Sequence, residues 1–590
     1  MIEVQRLGCG SIDRSLIGSH VELNGWVNRR RDHGGLVFID VRDRDGLAQV
    51  VFDPEHAEAF EEAHTLRHED VVRVRGVVRA RPAGTENPRL KTGDVELEAF
   101  ELLVLSRSEV PPFPVNLDED VDESLRLKYR YLDLRRPRLV RNLRTRHRFL
   151  KAVRDYFDEH DFLEIETPIL IKPTPEGARD YIVPSRLTRG HFYALPQSPQ
   201  ILKQLCMVAG LGRYMQIARC FRDEDLRSDR QPEFTQIDVE MSFVEQEDVM
   251  RIMEDLMHET FQKTLGVTLP KPFPRLTFAE AMRRFGSDKP DLRFGLELVD
   301  CAAIFAGTEF AVFKGALESG GSVIALRWPG GGASSRREFD AMVERAKEHG
   351  AKGLVWIALV SDGVKSPMTK FLDEATLAKL RDATEAQTGD AILIVADKTA
   401  TAQSVAGKLR LDVADRAGLR DPTAFAFCWV YDFPLFEFDE ETGQWTFAHH
   451  PFTSPAPGHE DLIERDPANA RALHYDMVLN GVELGSGSIR ITTPELQQRV
   501  FRALGMTNDD IQERFAFLLE AFRYGVPPMG GMALGVDRIV QIMAGESSIR
   551  DVIAFPKNQQ GRDLMLDAPS RVPKASLDEL GLRIVGEQAT

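Results

Sequence analysis

Residues 20–106 alternate apolar and polar side chains at a period of two, and the alternation stops at three prolines. The run "HVELNGWVNRRRDHGGLVFIDVRDRDGLAQVVFD" (20–53) carries turn signals at Gly34-Gly35 and Asp45-Gly46. "VVRVRGVVRARP" (71–82) and "GDVELEAFELLVLS" (93–106) keep the same period. Several short strands within about a hundred residues predict a small barrel. "SEVPPFPVNLDED" (108–120) then reads as a linker.

The rest of the chain is patterned differently. "NLRTRHRFLKAVRDYFDEHDFLEIETPIL" (142–170) predicts an amphipathic helix leading to a short strand closed by Pro168. Strand and helix patterns mix until about 287. Between 288 and 425, "SVIALRWPG", "GLVWIALV" and "AILIVADK" read as strands, with helical runs such as "REFDAMVERAKEH" between them. The mixed pattern of 141–287 resumes at "AFCWVYDFPLFEFDEETGQWTFAHHPFTSP". The expectation is a multidomain α/β protein. It has an oligonucleotide-binding (OB) type barrel at 1–106, a hinge at 107–140, and a catalytic domain split between 141–287 and 426–560. An α+β insertion occupies 288–425 and an extension 561–590.

Composition narrows the class. At 590 residues, 43% hydrophobic and 28% charged, the chain exceeds one hydrophobic core and reads as soluble and globular. No apolar run reaches the roughly 18 residues a membrane span needs, and "MIEVQRLGCGSIDRS" does not read as a signal peptide. The five cysteines, Cys9, Cys206, Cys220, Cys301 and Cys428, form no CxxC pair, which argues against a zinc site or a disulfide framework and for a cytoplasmic location. Net charge is −17, yet Arg126–Lys151 is a basic band with Asp133 as its only acid, which predicts contact with an anionic partner.

The sharpest feature is "CFRDEDLRSDRQPEFTQIDVEMSF" (220–243). A loop dense in charge, with Arg222, Asp223, Glu224, Asp225, Arg227, Asp229 and Arg230, runs into an alternating strand that places Asp238 and Glu240 on one face. No GxxxxGK[ST] phosphate loop exists, and the GxG of "ELGSGSIR" lacks a third glycine at the required spacing. A bound nucleotide must then be held by arginines, for which Arg222 and Arg538 (in "GMALGVDRIVQI") are candidates, with Glu224 and Glu483 as carboxylates for a phosphate-bridging Mg2+.

Three segments in order resemble the motifs of class II aminoacyl-tRNA synthetases: the proline-ended helix–strand, "FRDED" after a strand, and "GMALGVDR" opening a late helix. "PEGARDY", "QSPQILKQ", "GSDKPDLR", "HHPFTSP" and "GVELGSGSIR" resemble the bacterial aspartyl-tRNA synthetases, over nearly the whole chain. The resemblance implies a homodimer with Pro168 at its interface, ATP and L-aspartate as substrates, and Mg2+. It implies that Arg222 grips the α-phosphate and the reacting carboxylate, and that Arg538 stacks on adenine. Asp223, Glu224, Gln231, Glu483 and the Gly535-Val536-Asp537-Arg538 turn would complete the ATP site. Lys203 and Arg490 would hold the substrate side-chain carboxylate, Asp238, Glu176 and Gln200 the region of the α-ammonium, and His449 another substrate contact.

The implied reaction forms aspartyl-adenylate and then esterifies the terminal adenosine of tRNA. In the barrel, Phe38 would stack on an anticodon base, with Arg31 and Gln49 as polar readers. His33 and Gly84 resemble the residues of non-discriminating members, which charge both tRNA-Asp and tRNA-Asn; the organism would then need an amidotransferase acting on Asp-tRNA-Asn. Alternatives are a discriminating enzyme charging only tRNA-Asp, an asparaginyl enzyme, and a non-catalytic RNA-binding relative.

Overall fold

The computed structural model describes residues 4–117, 119–173, 176–226 and 229–585, so Arg227 of the charged loop lies outside the described residues. The chain divides into two compact units. One comprises the chain up to His147 with Leu226–Gln231 and Glu546–Arg571; the other comprises Arg148–Asp225, Pro232–Gly545 and the residues from Val572 onward.

The first unit contains a six-stranded closed sheet: β1 (Gln5–Leu7), β2 (His20–His33), β3 (Leu36–Arg42), β4 (Leu47–Phe52), β5 (Val71–Ala80) and β6 (Val95–Ser106), in the order β1-β2-β3-β4-β6-β5. Closure comes from β2, which pairs with β5 through His20–Trp26 and with β3 through Trp26–His33. An irregularity between Val27 and Arg29 bends it from one partner to the other. Period-two alternation sends Val21, Leu23, Val27, Val37, Ile39, Val72 and Val74 inward. Full burial of each such side chain contributes about 1.5–3 kcal/mol.

Within this unit several arginines of the basic band are paired. Arg126 and Arg130 both bind the buried carboxylate of Asp133, and Arg126 also binds Asp551. Arg130 further donates to the carbonyls of Arg550, Ile553 and Ala554. Arg138 pairs with Glu546 and Asp551, and Arg144 with Asp45. Acids distant in sequence, Asp45, Glu546 and Asp551, thus pair with Arg126, Arg138 and Arg144 of the band.

The second unit is built on an eight-stranded sheet. Its strand order is Arg275–Thr277, Phe427–Tyr431, His474–Leu479, Val482–Ile489, Met529–Gly535, Glu233–Ser242, Arg213–Phe221 and Leu163–Glu164. All pairs are antiparallel except the two at the edges. The glycines of "GSGS" serve this sheet. A Cβ on Gly485 would sit 1.9 Å from the Ala533 carbonyl oxygen, and one on Gly487 2.4 Å from the Tyr475 ring. These glycines therefore permit close strand packing.

Residues 299–397 add a five-stranded antiparallel sheet, ordered Val299–Asp300, Ser322–Trp328, Ala391–Asp397, Val355–Val360 and Gly363–Lys365. Alternate residues feed cores on its two faces. Ile324 and Leu326 pack with Phe339, Met342 and Val405 of the helices Arg336–Glu348 and Thr399–Arg416. Val323 and Ala325 pack with Phe305, Phe313 and Leu380. Among the described residues no helix is long and apolar enough to cross a membrane, and all five cysteines are free.

Candidate active site

The strands of the second unit bring four charged side chains together in a buried cluster. Asp238 and Glu240 project from one face of Glu233–Ser242, as the period of two requires. Lys203 comes from the helix Gln200–Val208 and Arg490 from the end of Val482–Ile489. Lys203 Nζ lies 2.7 Å from Asp238 Oδ1 and 3.4 Å from Glu240 Oε2. Arg490 meets Glu240 as a fork, Nε to Oε1 at 2.9 Å and Nη2 to Oε2 at 3.0 Å. All four residues are at most 3% exposed.

Two cations and two carboxylates cancel here, which is what allows all four to be buried. Burial raises the Asp238 carboxyl above its ordinary range despite the Lys203 ammonium beside it. Asp238 Oδ2 is buried and has no hydrogen-bond partner among the described residues, as is Gln200 Nε2. These are an acceptor and a donor available to a bound polar molecule. Glu176 accepts from Ser198 Oγ at 2.6 Å.

A histidine cluster borders this group. His450 Nε2 lies 2.8 Å from Arg490 Nη1, and since a guanidinium only donates, Nε2 accepts; Nδ1 accepts the Phe452 main-chain N–H at 3.2 Å and lies 3.2 Å from Thr453 Oγ1. His449 Nδ1 is also 3.2 Å from that hydroxyl, and its ring stacks on His474 with centroids 4.3 Å apart. Burial is the main cause that holds both His449 and His450 well below the usual imidazole range, and neighbouring histidines, Arg490 and Lys203 add to it.

The nucleotide candidates lie in the same unit, with one exception. Arg222 follows the strand Arg213–Phe221; its main-chain N–H donates to Pro232 O at 2.9 Å, and its guanidinium lies 5.1 Å from the Phe234 ring centroid. Its Nε is buried without a partner among the described residues. Asp223 bridges to Arg179, and Glu224 is half-buried in the same loop. Arg538 extends from the helix Val536–Ala544, and its Nη1 donates to Glu483 O at 3.0 Å. Asp537 is buried and accepts the Thr235 N–H at 3.1 Å, which anchors the start of that helix after Gly535. Gln231 belongs to the first unit, where its amide exchanges hydrogen bonds with the Lys557 main chain at 3.0 and 2.8 Å.

Glu483 carries an ion pair that inspection of the sequence alone missed: Lys289 Nζ at 2.7 Å from Oε2. Burial pushes the Glu483 carboxyl up, but Lys289 and then Arg538 outweigh it and hold the carboxyl below its usual range. Among the described residues no cluster of three or more His, Cys, Asp or Glu is arranged to hold a metal. Glu483 and Glu224 would each offer a carboxylate oxygen to an ion shared with substrate phosphates, which is how Mg2+ is commonly held.

In the barrel, Arg31 faces Phe38 across β2 and β3 and binds Asp40 at 3.0 Å and Gln49 Oε1 at 3.1 Å. Gln49 in turn donates to the buried Glu96 at 2.7 Å. His33 is exposed at the β2–β3 turn. Gly84 is exposed at φ +87°, with nothing within 4 Å of a built Cβ. Glu240 was legible as a neighbour of Asp238 but not as the partner of Arg490. Ser488, 2.5 Å from Arg490 Nη1, was visible only as part of "GSGSIR".

The family of tRNA synthetases class II (D, K and N) matches residues 122–559, and the OB-fold nucleic acid binding domain family matches residues 21–105. The chain belongs to the class II tRNA synthetases. It is 56% identical over 584 residues to the Aspartate–tRNA(Asp/Asn) ligase of Symbiobacterium thermophilum, covering 98% of each chain. To the Aspartate–tRNA(Asp/Asn) ligase of Caldanaerobacter subterraneus subsp. tengcongensis it is 53% identical over 577 residues, again covering 98% of each. The structure of asparaginyl-tRNA synthetase from Pyrococcus horikoshii complexed with asparaginyl-adenylate superposes with a TM-score of 0.59 at 20% identity, over 94% of this chain and 98% of that one. That likeness shows the fold.

Proposed function

We propose that the protein activates L-aspartate with ATP and attaches it to tRNA, charging both tRNA-Asp and tRNA-Asn. The observation that carries this reading is the buried constellation of Lys203, Asp238, Glu240 and Arg490. Its cations are fixed before substrate arrives, so little reorganisation opposes binding of the side-chain carboxylate. An asparagine amide would turn donors toward Lys203 and Arg490, which offer no acceptor, so it is rejected strongly. Asp238 Oδ2 supplies an acceptor for the α-ammonium, in the region of Glu176 and Gln200.

The α-carboxylate of aspartate is ionised at neutral pH and attacks the α-phosphorus of ATP without a protein base. Arg222 holds the phosphate and the reacting carboxylate, and Arg538 packs on the adenine. Asp223 and the Gly535–Arg538 turn are assigned to the same nucleotide. Glu483 and Glu224 would hold Mg2+ against the phosphates; the ion when bound supplies charge neutralisation. A ribose hydroxyl of the terminal tRNA adenosine then attacks the adenylate.

Phe38, Arg31 and Gln49 are assigned to the anticodon, and the open positions of His33 and Gly84 suit a contact tolerant of either third base. A working context follows: the cytoplasm, an amidotransferase converting Asp-tRNA-Asn, and a homodimer. Support for the dimer is the apolar surface near Pro168, where Leu163, Ile169, Leu170, Ile182 and Tyr193 are all exposed. The test is charging of tRNA-Asp and tRNA-Asn transcripts with labelled aspartate. Comparable efficiency on both is expected; charging of tRNA-Asp alone would overturn the dual specificity.

A further inference from the structure

The run "GSDKPDLR" (286–293) joins the helix Phe278–Phe285 to the inserted five-stranded segment, and the reaction above gives its polar side chains no part. The structure ties it to both sides. On one side Lys289 Nζ sits 2.7 Å from Glu483 Oε2, and its main-chain N–H is fixed by Ser287 Oγ at 3.0 Å. On the other side the run is gripped by the insertion helix Thr399–Arg416. A Cβ on Gly286 would fall 2.1 Å from the Gln403 carbonyl oxygen, and one on Gly407 2.6 Å from the Gly286 carbonyl oxygen. Helix and turn are therefore in backbone contact that no larger residue permits.

Arg410, from the same helix and 1% exposed, completes the grip. Its Nε donates to Leu296 O at 2.8 Å, and its Nη2 lies 2.9 Å from Asp291 O, 3.0 Å from Gly295 O and 3.1 Å from Phe294 O. Its guanidinium lies 4.1 Å from the Phe294 ring centroid. Burial lowers it to about 10. Asp291 does not neutralise it directly, because the Asp291 carboxylate is taken by Arg293, Nε to Oδ1 at 3.0 Å and Nη2 to Oδ2 at 2.6 Å. A buried guanidinium spent on main-chain carbonyls is costly, and here its effect is to fix a loop that begins two residues after Lys289.

We propose that Arg410 and Lys289 are positioning residues for Glu483: the insertion helix sets the 291–296 main chain through Arg410, and that loop holds the Lys289 ammonium against the Glu483 carboxylate. The insertion thereby tunes nucleotide and Mg2+ binding from outside the catalytic sheet. The proposal rests on the reading of Glu483 as a nucleotide-site carboxylate.

The experiment measures ATP binding by calorimetry across a Mg2+ titration, together with KM for ATP and for aspartate. The variants are Lys289→Met, Lys289→Arg, Arg410→Met, Arg410→Lys, the Lys289→Met/Arg410→Met double and Glu483→Gln. Lys289→Met and Arg410→Met should each weaken ATP binding and raise the Mg2+ midpoint about tenfold, with aspartate KM unchanged, and the double variant should be little worse than either. Lys289→Arg and Arg410→Lys should recover part of the loss. A merely structural Arg410 predicts a lower melting temperature with ATP binding and Mg2+ midpoint unmoved, and that result overturns the proposal; Arg410→Lys decides by the same criterion if Arg410→Met does not fold. If Glu483→Gln also leaves ATP binding and the Mg2+ midpoint unmoved, the assignment of Glu483 itself fails, and the proposal with it.

Discussion

Arg490 and Glu240, 250 residues apart in sequence, close on each other through a two-bond fork in a site sealed from solvent. The fork fixes the guanidinium plane and leaves Nη1 directed at His450 and Ser488. Glu240→Gln keeps the shape but removes the charge opposite Arg490. An uncompensated buried charge costs about 3–5 kcal/mol. We expect aspartate KM to rise by two orders of magnitude or more (about 1.4 kcal/mol per tenfold) while ATP KM changes little. Steady-state pyrophosphate exchange checks this; an unchanged aspartate KM would remove Glu240 from the site.

Arg222 presents a buried Nε without a partner among the described residues, beside the Phe234 ring. A donor left in that state is poised for an anion. Arg222→Ala should reduce adenylate formation by about 10²–10³-fold, the range for losing one preorganised charge-stabilising donor. Arg222→Lys should not restore it, since a point charge lacks the planar fork. Near-normal exchange in either variant would contradict the assignment.

The histidine pair gives the fold a signed pH dependence. Burial, with the cations nearby, depresses His449 and His450 in the folded state. In the unfolded chain both titrate near pH 6.5. Stability from the neutral pair is thus fully present above about pH 6.5 and is lost as pH falls toward the folded values, because the unfolded chain binds protons first. The raised Asp238 carboxyl acts in the opposite direction, so the comparison must be with a matched variant. Melting temperature from about pH 7.5 to 5 should fall more steeply in the native protein than in the His449→Gln/His450→Gln double variant. Parallel slopes would refute the neutral assignment.

How much of this was legible in the sequence depends on range. The barrel was readable because its alternation is local, and so was the shared face of Asp238 and Glu240, two residues apart. The partners of the basic band were not, because Glu546 and Asp551 arrive some four hundred residues after Arg138. Lys289 was visible inside "GSDKPDLR", yet nothing local points it at Glu483, which lies 194 positions away. The "GSGS" glycines show the same limit: their meaning is set by Ala533 and Tyr475, which the spacing rule for phosphate loops does not consult.

Gly531 shows how closely the sheet is drawn around the site. A Cβ there would lie 2.1 Å from Glu240 Oε2 and 2.1 Å from the Val239 carbonyl oxygen. Gly531→Ala must displace either the main chain or the carboxylate that orients Arg490. We expect a loss of about 1–3 kcal/mol in stability, as for overpacked cores. Aspartate affinity should also fall, beyond what the stability loss explains. Chemical denaturation and aspartate titration on the same preparation separate the two; a stability loss with normal aspartate affinity would show that the strand absorbs the methyl group.

Gly84 is the converse case, a glycine with room but an awkward backbone. Its φ of +87° disfavours other residues, while nothing lies within 4 Å of a built Cβ. Its N–H donates to Glu86 Oε2 at 2.8 Å, which holds the loop in that conformation. Gly84→Lys should therefore cost the barrel about 1 kcal/mol through backbone strain, not through clash. If the open loop is what admits either third anticodon base, Gly84→Lys combined with His33→Leu should lower charging of tRNA-Asn about tenfold or more and spare tRNA-Asp. Equal losses on both tRNAs would mean that the substitutions disturb the barrel generally. Unchanged charging of tRNA-Asn would mean that discrimination lies with residues deeper in the sheet, of which Gln49 and its partner Glu96 are the first to examine.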